Sequence, residues 1–362
     1  MELKISDRFD NRIIKYFNEV SVNLVHNSIA STFSFRFNYD YKNPDHKEIS
    51  CVSHFHDVEI SHEGERLITG ILLTQSFRHT AEGVEAQFSG YSTSGAMEDC
   101  SIPPNIYPIQ SNGLSLGQIA KKIGDAFKPK IGVIIDPSVA DVVSGSFKSS
   151  STSPTTNVKS YLTQMATQKD IVLSHDEFGN LLFTSANTNG KPILDLDLTD
   201  ENKSLPALEL EMVFNGQQVH SHITVMRQAS SGKGNAGEVT IRNPYVIGSV
   251  YRPKVITQSS GDDNDTKKAA RRALGNELRA LKFVIKIDRW KIDGKIIRPN
   301  NTILIFDPEI YVWHQAKFFI ESVSFTGNEK QQSATLTCTL PEAYNDDEVV
   351  NIFRDINIHK RV

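Results

Sequence analysis

Two stretches of this chain repeat one another, and the repetition constrains the fold more than any other feature. Residues 66–92, RLITGILLTQSFRHTAEGVEAQFSGYS, and residues 317–341, KFFIESVSFTGNEKQQSATLTCTLP, share one plan. Each has a Ser-Phe pair late in a strand-like run (Ser76-Phe77, Ser324-Phe325), then a polar turn, then a resumed alternating run. Phe77 and Phe88 stand eleven positions apart, as do Phe325 and Leu336. Upstream, VNLVHNSIASTFSFRF carries Val25, Asn27, Phe33, Phe35 and Phe37. LEMVFNGQQVHSHITV carries Val213, Asn215, Ser221, Ile223 and Val225 at the same relative positions. The upstream offset is 188 (27 to 215) and the downstream offset 248 (77 to 325), so the second copy holds an insertion of about 60 residues. Self-similarity at this spacing implies two related modules in one chain, the second interrupted.

The modules read as β. In residues 286–344, short runs with apolar residues at every second position alternate with turn chemistry: Asp293-Gly294, Pro299-Asn300-Asn301, Asp307-Pro308-Glu309 and Gly327-Asn328-Glu329. Period-2 strands joined by tight turns describe an antiparallel sheet with one buried face, most simply a small barrel. Phe33, Phe35 and Phe37 share one strand face, with Ser34 and Arg36 on the other. Gly70, inside the apolar run Leu67–Thr74, implies a bend or a close backbone approach.

Between the modules the pattern changes to helical. Ser115-Leu116-Gly117-Gln118 is a capping box opening a helix with Leu116, Ile119, Ala120, Ile123 and Phe127 on one face. Thr155-Thr156 is expected to cap a second helix carrying Val158, Tyr161, Leu162, Met165 and Ala166 inward. Residues 171–173 and 181–183 bracket Asp176–Asn180 as a hairpin, and the polar residues 144–153 form an extended loop. The expected division is a first barrel over 1–95 and a small α/β domain over 96–200. A second barrel follows from 201–228 and 286–344, with an inserted domain over 229–285 and a C-terminal tail over 345–362. The insertion carries strands at 239–241 and 246–247, a polar linker at 259–265 and one helix. That helix has Asp262, Asp263 and Asp265 near its N-terminus and a stripe of Ala270, Leu274, Leu278 and Leu281. Val349, Ile352, Phe353 and Ile356 suggest a short amphipathic helix in the tail. Asn43-Pro44-Asp45 is expected to break the chain between strands.

Composition narrows the function. A chain of 362 residues with 39% hydrophobic and 23% charged residues builds several packed modules. The net charge of −4 and the lack of a basic stripe on any strand block argue against a phosphate-gripping nucleic-acid binder. Cys51, Cys100 and Cys338 have neither zinc nor disulfide spacing and read as reduced, buried thiols of a protein made in a cytosol. No apolar run reaches the roughly 20 residues of a membrane span, so no membrane insertion is expected, and Met1-Glu2-Leu3-Lys4 begins no signal peptide.

Motifs that could carry chemistry have blander readings that fit better. Gly232–Gly237 spells GxGxxG, but Glu238–Ile241 then reads as a strand, whereas a dinucleotide site needs a helix there; a loop is expected and no cofactor. His54/His56 and His220/His222 have the i,i+2 spacing of two ligands on one strand face, but no third ligand stands out and no metal site is expected. Gly90–Ser94 resembles a nucleophile elbow, with Ser94 where the last glycine belongs, and it ends a strand rather than opening a helix. Lys267, Lys268, Arg271, Arg272 and Arg279 load one side of the insertion helix, read as a solvated face or a dock for an acidic protein surface. Asp195 and Asp197 form no pair placeable across a cleft. No catalytic residue is therefore assigned, and no enzyme is expected.

Four ordered stretches resemble one known family. The first is Thr69-Gly70-Ile71 with FSGYSTSGAMEDCSI (88–102), which departs from the family in having Tyr91 where arginine is common and Met97-Glu98 before Asp99-Cys100. The others are LSLGQIAKKIGDAF (114–127), TNVKSYLTQMATQKDIVLSHDEFGNLLFTS (156–185), and IIRPNNTILIFDPE through ATLTCTLPEAY (296–344). Together they resemble the baseplate hub proteins of phage Mu-like contractile tails, relatives of the T-even phage hub and of the N-terminal part of type VI secretion spike proteins. The resemblance implies a mainly β protein with α+β parts: two tube-type antiparallel β-barrels, an intervening α/β domain and a domain inserted in the second barrel. It further implies a homotrimer whose six barrels imitate a hexameric tube ring. Expected partners are a tail tube protein, a central spike protein, a tape measure protein and other baseplate proteins, with DNA only in transit through the lumen. The expected location is the virion baseplate, after assembly in the host cytoplasm. The alternatives are a cell-wall-degrading or a glycan-binding tail-tip protein.

Overall fold

The computed structural model describes residues 2–6, 11–14, 17–109, 111–147, 153, 155–199, 207–227, 238–258, 266–328, 330–345 and 347–354. The strands in chain order begin β1 (Glu2–Ser6), β2 (Asn11–Ile14), β3 (Glu19–Val25), β4 (Thr32–Asn38), β5 (Asp57–His62), β6 (Glu65–Thr80) and β7 (Gly83–Ser92). They continue with β8 (Val133–Ile135), β9 (Val172–His175), β10 (Leu181–Thr184), β11 (Asp195–Asp197), β12 (Ala207–Phe214), β13 (His222–Arg227), β14 (Glu238–Arg242) and β15 (Pro253–Gln258). Last come β16 (Leu281–Ile287), β17 (Lys291–Ile292), β18 (Lys295–Ile296), β19 (Thr302–Asp307), β20 (Val312–Gly327) and β21 (Gln332–Thr339). The helices are α1 (Pro44–Ile49), α2 (Ala96–Asp99), α3 (Leu116–Ala126), α4 (Ala140–Ser144), α5 (Val158–Gln168) and α6 (Thr266–Leu278).

The chain packs as two compact units. The first comprises residues 1–185, 288–299 and 322–334. Its main sheet runs β3-β4-β7-β6-β5, antiparallel throughout, and continues through β1 to β2. Period-2 alternation puts Phe33, Phe35 and Phe37 of β4 on the buried face, where Phe35, Phe37 and Phe88 stack with centroids 5.3–6.4 Å apart. Glu63 (φ 49°) and Gly64 (φ 80°) close the β5–β6 hairpin, both in the left-handed region that a tight two-residue turn demands. The helical part of this unit surrounds a separate small sheet, β8-β10-β9. The Ser115–Gln118 capping box forms as expected and starts α3, whose Ile119, Ala120 and Ile123 join Leu162, Met165 and Phe183 in one core. The cap of α5 is Asn157, not Thr155-Thr156: its side chain accepts from the Ser160 N–H. Asn43-Pro44-Asp45 starts a helix instead of merely interrupting the chain; Asn43 caps α1 with Pro44 at its first position, where a missing N–H costs nothing.

The second unit comprises residues 186–287, 300–321 and 335–362. Its main sheet runs β12-β16-β21-β20-β19, with β11 parallel to β19. Phe283, Phe318, Phe319, Ile320, Ile303 and Ile305 are fully buried within this unit. A second sheet, β14-β13-β15, is covered by the Ala270, Leu274 and Leu278 face of α6.

The strand orders of the two units correspond term by term: β3-β4-β7-β6-β5 and β12-β16-β21-β20-β19. Phe33, Phe35 and Phe37 therefore match Phe283, Ile285 and Ile287, an offset of 250, and the pairings Val22–Phe33 and Met212–Phe283 put β3 against β12 at an offset of 190 instead of 188. The insertion is 60 residues long, the difference between these offsets, and lies between β12 and β16. The expected counterpart of β4, residues 221–225, is corrected. β13 pairs with β14 and β15 and belongs to the inserted module, because Ile223 and Val225 bury themselves there instead. Residues 288–299, expected in the second barrel, pack in the first unit: the Glu65 carboxylate accepts from the Ile296 N–H, and Arg298 donates to the Arg66 and Leu67 carbonyls.

The described part of the tail, 347–354, is not helical. It straps onto the second unit through Asn351 Nδ2, which donates to the Pro244 carbonyl, and Tyr245 Oη, which donates to the Val350 carbonyl. Ile356, the polar linker 259–265 with its three aspartates, residues 148–152 of the polar loop and the GxGxxG segment 232–237 lie outside the described residues.

Candidate functional site

Among the described residues, those singled out as possible chemistry do not assemble into a reactive centre. Ser92 sits at the end of β7, and a helical turn does follow, through Thr93–Gly95 into α2, contrary to expectation. Yet Ser92 and Ser94 are fully buried, and both hydroxyls donate to the Ile29 carbonyl. They brace the β3–β4 connection and face no cleft. His54 and His56 precede β5 rather than lying on it; His54 is exposed and His56 buried, with rings 5.5 Å apart. His220 likewise precedes β13, where its backbone N–H and Nδ1 contact the buried Glu277 carboxylate, each at 2.8 Å, and Lys254 Nζ donates to it at 3.1 Å. Among the described residues no group of three or more His, Cys, Asp or Glu side chains could hold a metal. Asp195 accepts from Gln315 and Asp197 from Thr199, so each is used locally.

The basic side of the insertion helix is smaller than expected. Arg279 lies past the end of α6, over the Tyr344 ring at 4.4 Å and 3.6 Å from Glu321. The cysteines also differ from expectation. Cys338 is buried, which pushes its thiol well above the ordinary range, but Cys51 is half-buried and Cys100 exposed.

Two histidines of the first unit couple its stability to pH. His175 Nδ1–H donates to the Asp176 carbonyl at 2.9 Å, and Nε2 lies 2.5 Å from the Ser31 hydroxyl. Burial holds the pKa of His175, and that of His62, below the ordinary 6.5. In the unfolded chain both protonate as pH falls through 6.5, so the unfolded state binds more protons below that point. The stabilisation is complete above 6.5 and is lost as pH falls toward the folded values. The midpoint for thermal unfolding is expected to fall between pH 7.5 and 5.5, and to fall less in His175→Gln.

The strand edges are where the two repeats stop being alike. In the first unit the outer edge of β3 is covered: residues 322–327 of β20 pair with it antiparallel, Val323 opposite Leu24 and Phe325 opposite Val22. All four side chains are 0–3% exposed. In the second unit the matching edge strand, β12, pairs with β16 on one side and with nothing on the other among the described residues. Its apolar positions are open accordingly: Leu208 is 58% exposed, Val213 41% and Phe214 40%. The strand matching β20 is β6, of the same 16-residue length. Its distal part, Thr74–Thr80, pairs with β7 on one edge and has no backbone partner on the other among the described residues. Leu73 and Phe77 are 38% and 40% exposed there. Exposed unpaired edges with apolar side chains are templates for strand addition. The Phe77/Phe325 correspondence was legible in the sequence, but that one member would be covered and the other open was not.

Comparison with known proteins bears out the fold. No protein-family model and no curated protein sequence matches the chain. Among solved structures, the 43 kDa tail protein of prophage MuSo2 from Shewanella oneidensis superposes with a TM-score of 0.76 at 19% identity, covering 95% of this chain and 99% of that one. A tail protein from Neisseria meningitidis MC58 gives 0.74 at 18% identity over the same shares. The E. coli c3393 protein, a component of the type VI secretion system, gives 0.54 at 9% identity, covering 93% of this chain and 76% of that one. The chain has the fold of these proteins, as the four sequence stretches implied.

Proposed function

We propose that this chain is a structural subunit of a phage or phage-like tail, a baseplate hub in which three copies form one ring. The observation that carries the reading is the repeated strand order, β3-β4-β7-β6-β5 and β12-β16-β21-β20-β19. Two like but unequal barrels per chain let three chains offer six tube-like units to a sixfold partner while keeping threefold symmetry for a spike. Head-to-tail contacts between such units close into a ring. The tail proteins of Shewanella and Neisseria support the reading over nearly their whole length. So does the E. coli type VI component, described as similar to the T4 tail proteins gp27 and gp5. The partners proposed are the tube, the spike, the tape measure and other baseplate proteins, with DNA passing only through the lumen. The acidic balance of −4 suits a lumen to which a polyanion must not adhere. No bond-breaking role is proposed.

Light scattering coupled to size exclusion is expected to give three times the 40.5 kDa chain mass, and negative-stain images a threefold ring with six lobes. A strict monomer at high concentration overturns the reading.

A further inference from the structure

We infer that the tip of the β19–β20 hairpin, built on Tyr311 and Trp313, is a docking site for a lysine- or arginine-bearing turn of another tail protein. The inference rests on the tail-protein reading above for the class of partner, and it is independent of the ring.

The first repeat shows what such a tip holds. Counted along β6 and β20 at the offset of 248, Glu63 and Glu65 correspond to Tyr311 and Trp313. Glu63 and Tyr311 are each the left-handed residue of their turn, with φ of 49° and 68°. At the first tip a segment of the same chain is seated. Lys291 Nζ lies 3.1 Å from the Glu63 carboxylate and 3.8 Å from that of Glu65, and the Ile296 N–H donates to Glu65. At the second tip both positions carry aromatic rings. Among the described residues the Tyr311 ring meets one other ring, Trp313, edge-on at 6.1 Å, and the residue stays 61% exposed. Left-handed backbone suits glycine and disfavours an aromatic residue, and this ring regains little by burial. An aromatic residue held against its local preference and left in water points to a ligand.

The surroundings fix the chemistry of that ligand. β11 and β20 flank β19, and Asp195 and Asp197 stand outward on β11 while Leu196 between them is buried. Gln315 of β20 donates to Asp195 at 3.0 Å, and Trp313 is two residues before it. Glu309 is exposed in the turn itself. Asp195 and Asp197 accept from neutral groups, Gln315 and Thr199, and among the described residues none of the three carboxylates makes an ion pair. Nearby Lys317 turns its ammonium to the Gly190 carbonyl at 3.5 Å instead. Half-buried Trp313 and exposed Tyr311 offer ring faces to a cation, and the carboxylates around them deepen the negative potential. A lysine or arginine answers both features. A neutral glycan could stack on the rings but would leave the charge unmatched. Where the first tip grips Lys291 between two carboxylates, the second presents rings to the cation and keeps its carboxylates at the rim.

The test uses the full chain against short overlapping peptides covering the tail proteins encoded beside it, with a glycan array as the competing probe. Binding is expected to concentrate on peptides that carry lysine or arginine, and to weaken at least about tenfold in Tyr311→Gly. Tyr311→Phe, which keeps the ring, should bind as the wild type does. Glu309→Lys should weaken binding and flatten its salt dependence. Glycine suits the left-handed turn, so Tyr311→Gly should leave the thermal unfolding midpoint unchanged or raise it by about 2 °C. A midpoint that falls instead makes Tyr311 a packing residue and overturns the inference. So does the absence of peptide binding, peptide binding indifferent to Tyr311→Gly, or Tyr311-dependent binding to glycans. Light scattering on the same proteins keeps the two readings apart. A trimer without ring-dependent peptide binding overturns this site and leaves the hub standing, whereas a monomer that binds peptides through Tyr311 overturns the hub ring and leaves the site.

Discussion

Gly90→Ala is expected to destabilise the first unit by about 3 kcal/mol or more, far beyond the usual cost of adding one methyl group. Gly90 and Gly70 lie on neighbouring strands beneath the Phe33 ring. A Cβ at Gly90 would fall inside the van der Waals envelope of the Ile71 carbonyl and 2.8 Å from the ring; a Cβ at Gly70 would meet the Tyr91 carbonyl and the same ring, also at 2.8 Å. In both cases the obstacle is backbone already committed to the β6–β7 ladder, which cannot move aside without breaking hydrogen bonds. Buried Trp290, which donates to the Thr326 and Ser333 carbonyls in the same unit, supplies a fluorescence signal for urea unfolding once Trp313 is replaced by phenylalanine. A shift in stability below about 0.5 kcal/mol, the scale of an ordinary surface substitution, would contradict the close-approach argument.

Phe318→Ala should cost the second unit about 3–5 kcal/mol, for the converse reason. At the offset of 248, Phe318 is the counterpart of Gly70 and Cys338 that of Gly90, while Phe283 matches Phe33. The first repeat fills this part of its sheet with one ring over two glycines; the second uses two rings, Phe283 and Phe318, with centroids 4.3 Å apart. Phe318 is fully buried, so its removal leaves a cavity that its neighbours can only partly close. Denaturation followed through Trp313 fluorescence, in a Trp290→Phe background, measures the effect. A loss below about 1 kcal/mol would mean that the site collapses freely and the two repeats are not packed as complementary solutions.

Much of this was legible in the residues, for identifiable reasons. Local chemistry with one physical outcome was read correctly: the Ser115/Gln118 box, the alternation in β4, and the Asp293-Gly294 turn, whose positive φ values of 49° and 76° are those a two-residue hairpin needs. The length of the insertion was also legible, because an offset between repeats counts residues whatever they fold into. Its position was not. Residues 221–225 alternate like a barrel strand because Ile223 and Val225 are buried, and burial in one sheet leaves the same mark in sequence as burial in another. The tail was misread for a similar reason. Val349, Ile352 and Phe353 have helical spacing, yet Phe353 packs edge-on against Tyr245 at 5.8 Å and Tyr245 hydrogen-bonds the local backbone. Tertiary partners decided the conformation there. The candidate interface was the least legible part, since whether an edge strand is covered depends on topology and not on its own residues.

The seating of the insertion has an evolutionary corollary. Phe214 and Leu281 face one another across the β12–β16 ladder, and the Asn215 N–H donates to the Ala280 carbonyl at 2.9 Å. The excursion thus departs and returns at adjacent points, and a tight reverse turn could bridge them without disturbing the ladder. Residues 216–279 can therefore change in length, or be replaced by a short turn, while the ladder beneath stays as it is.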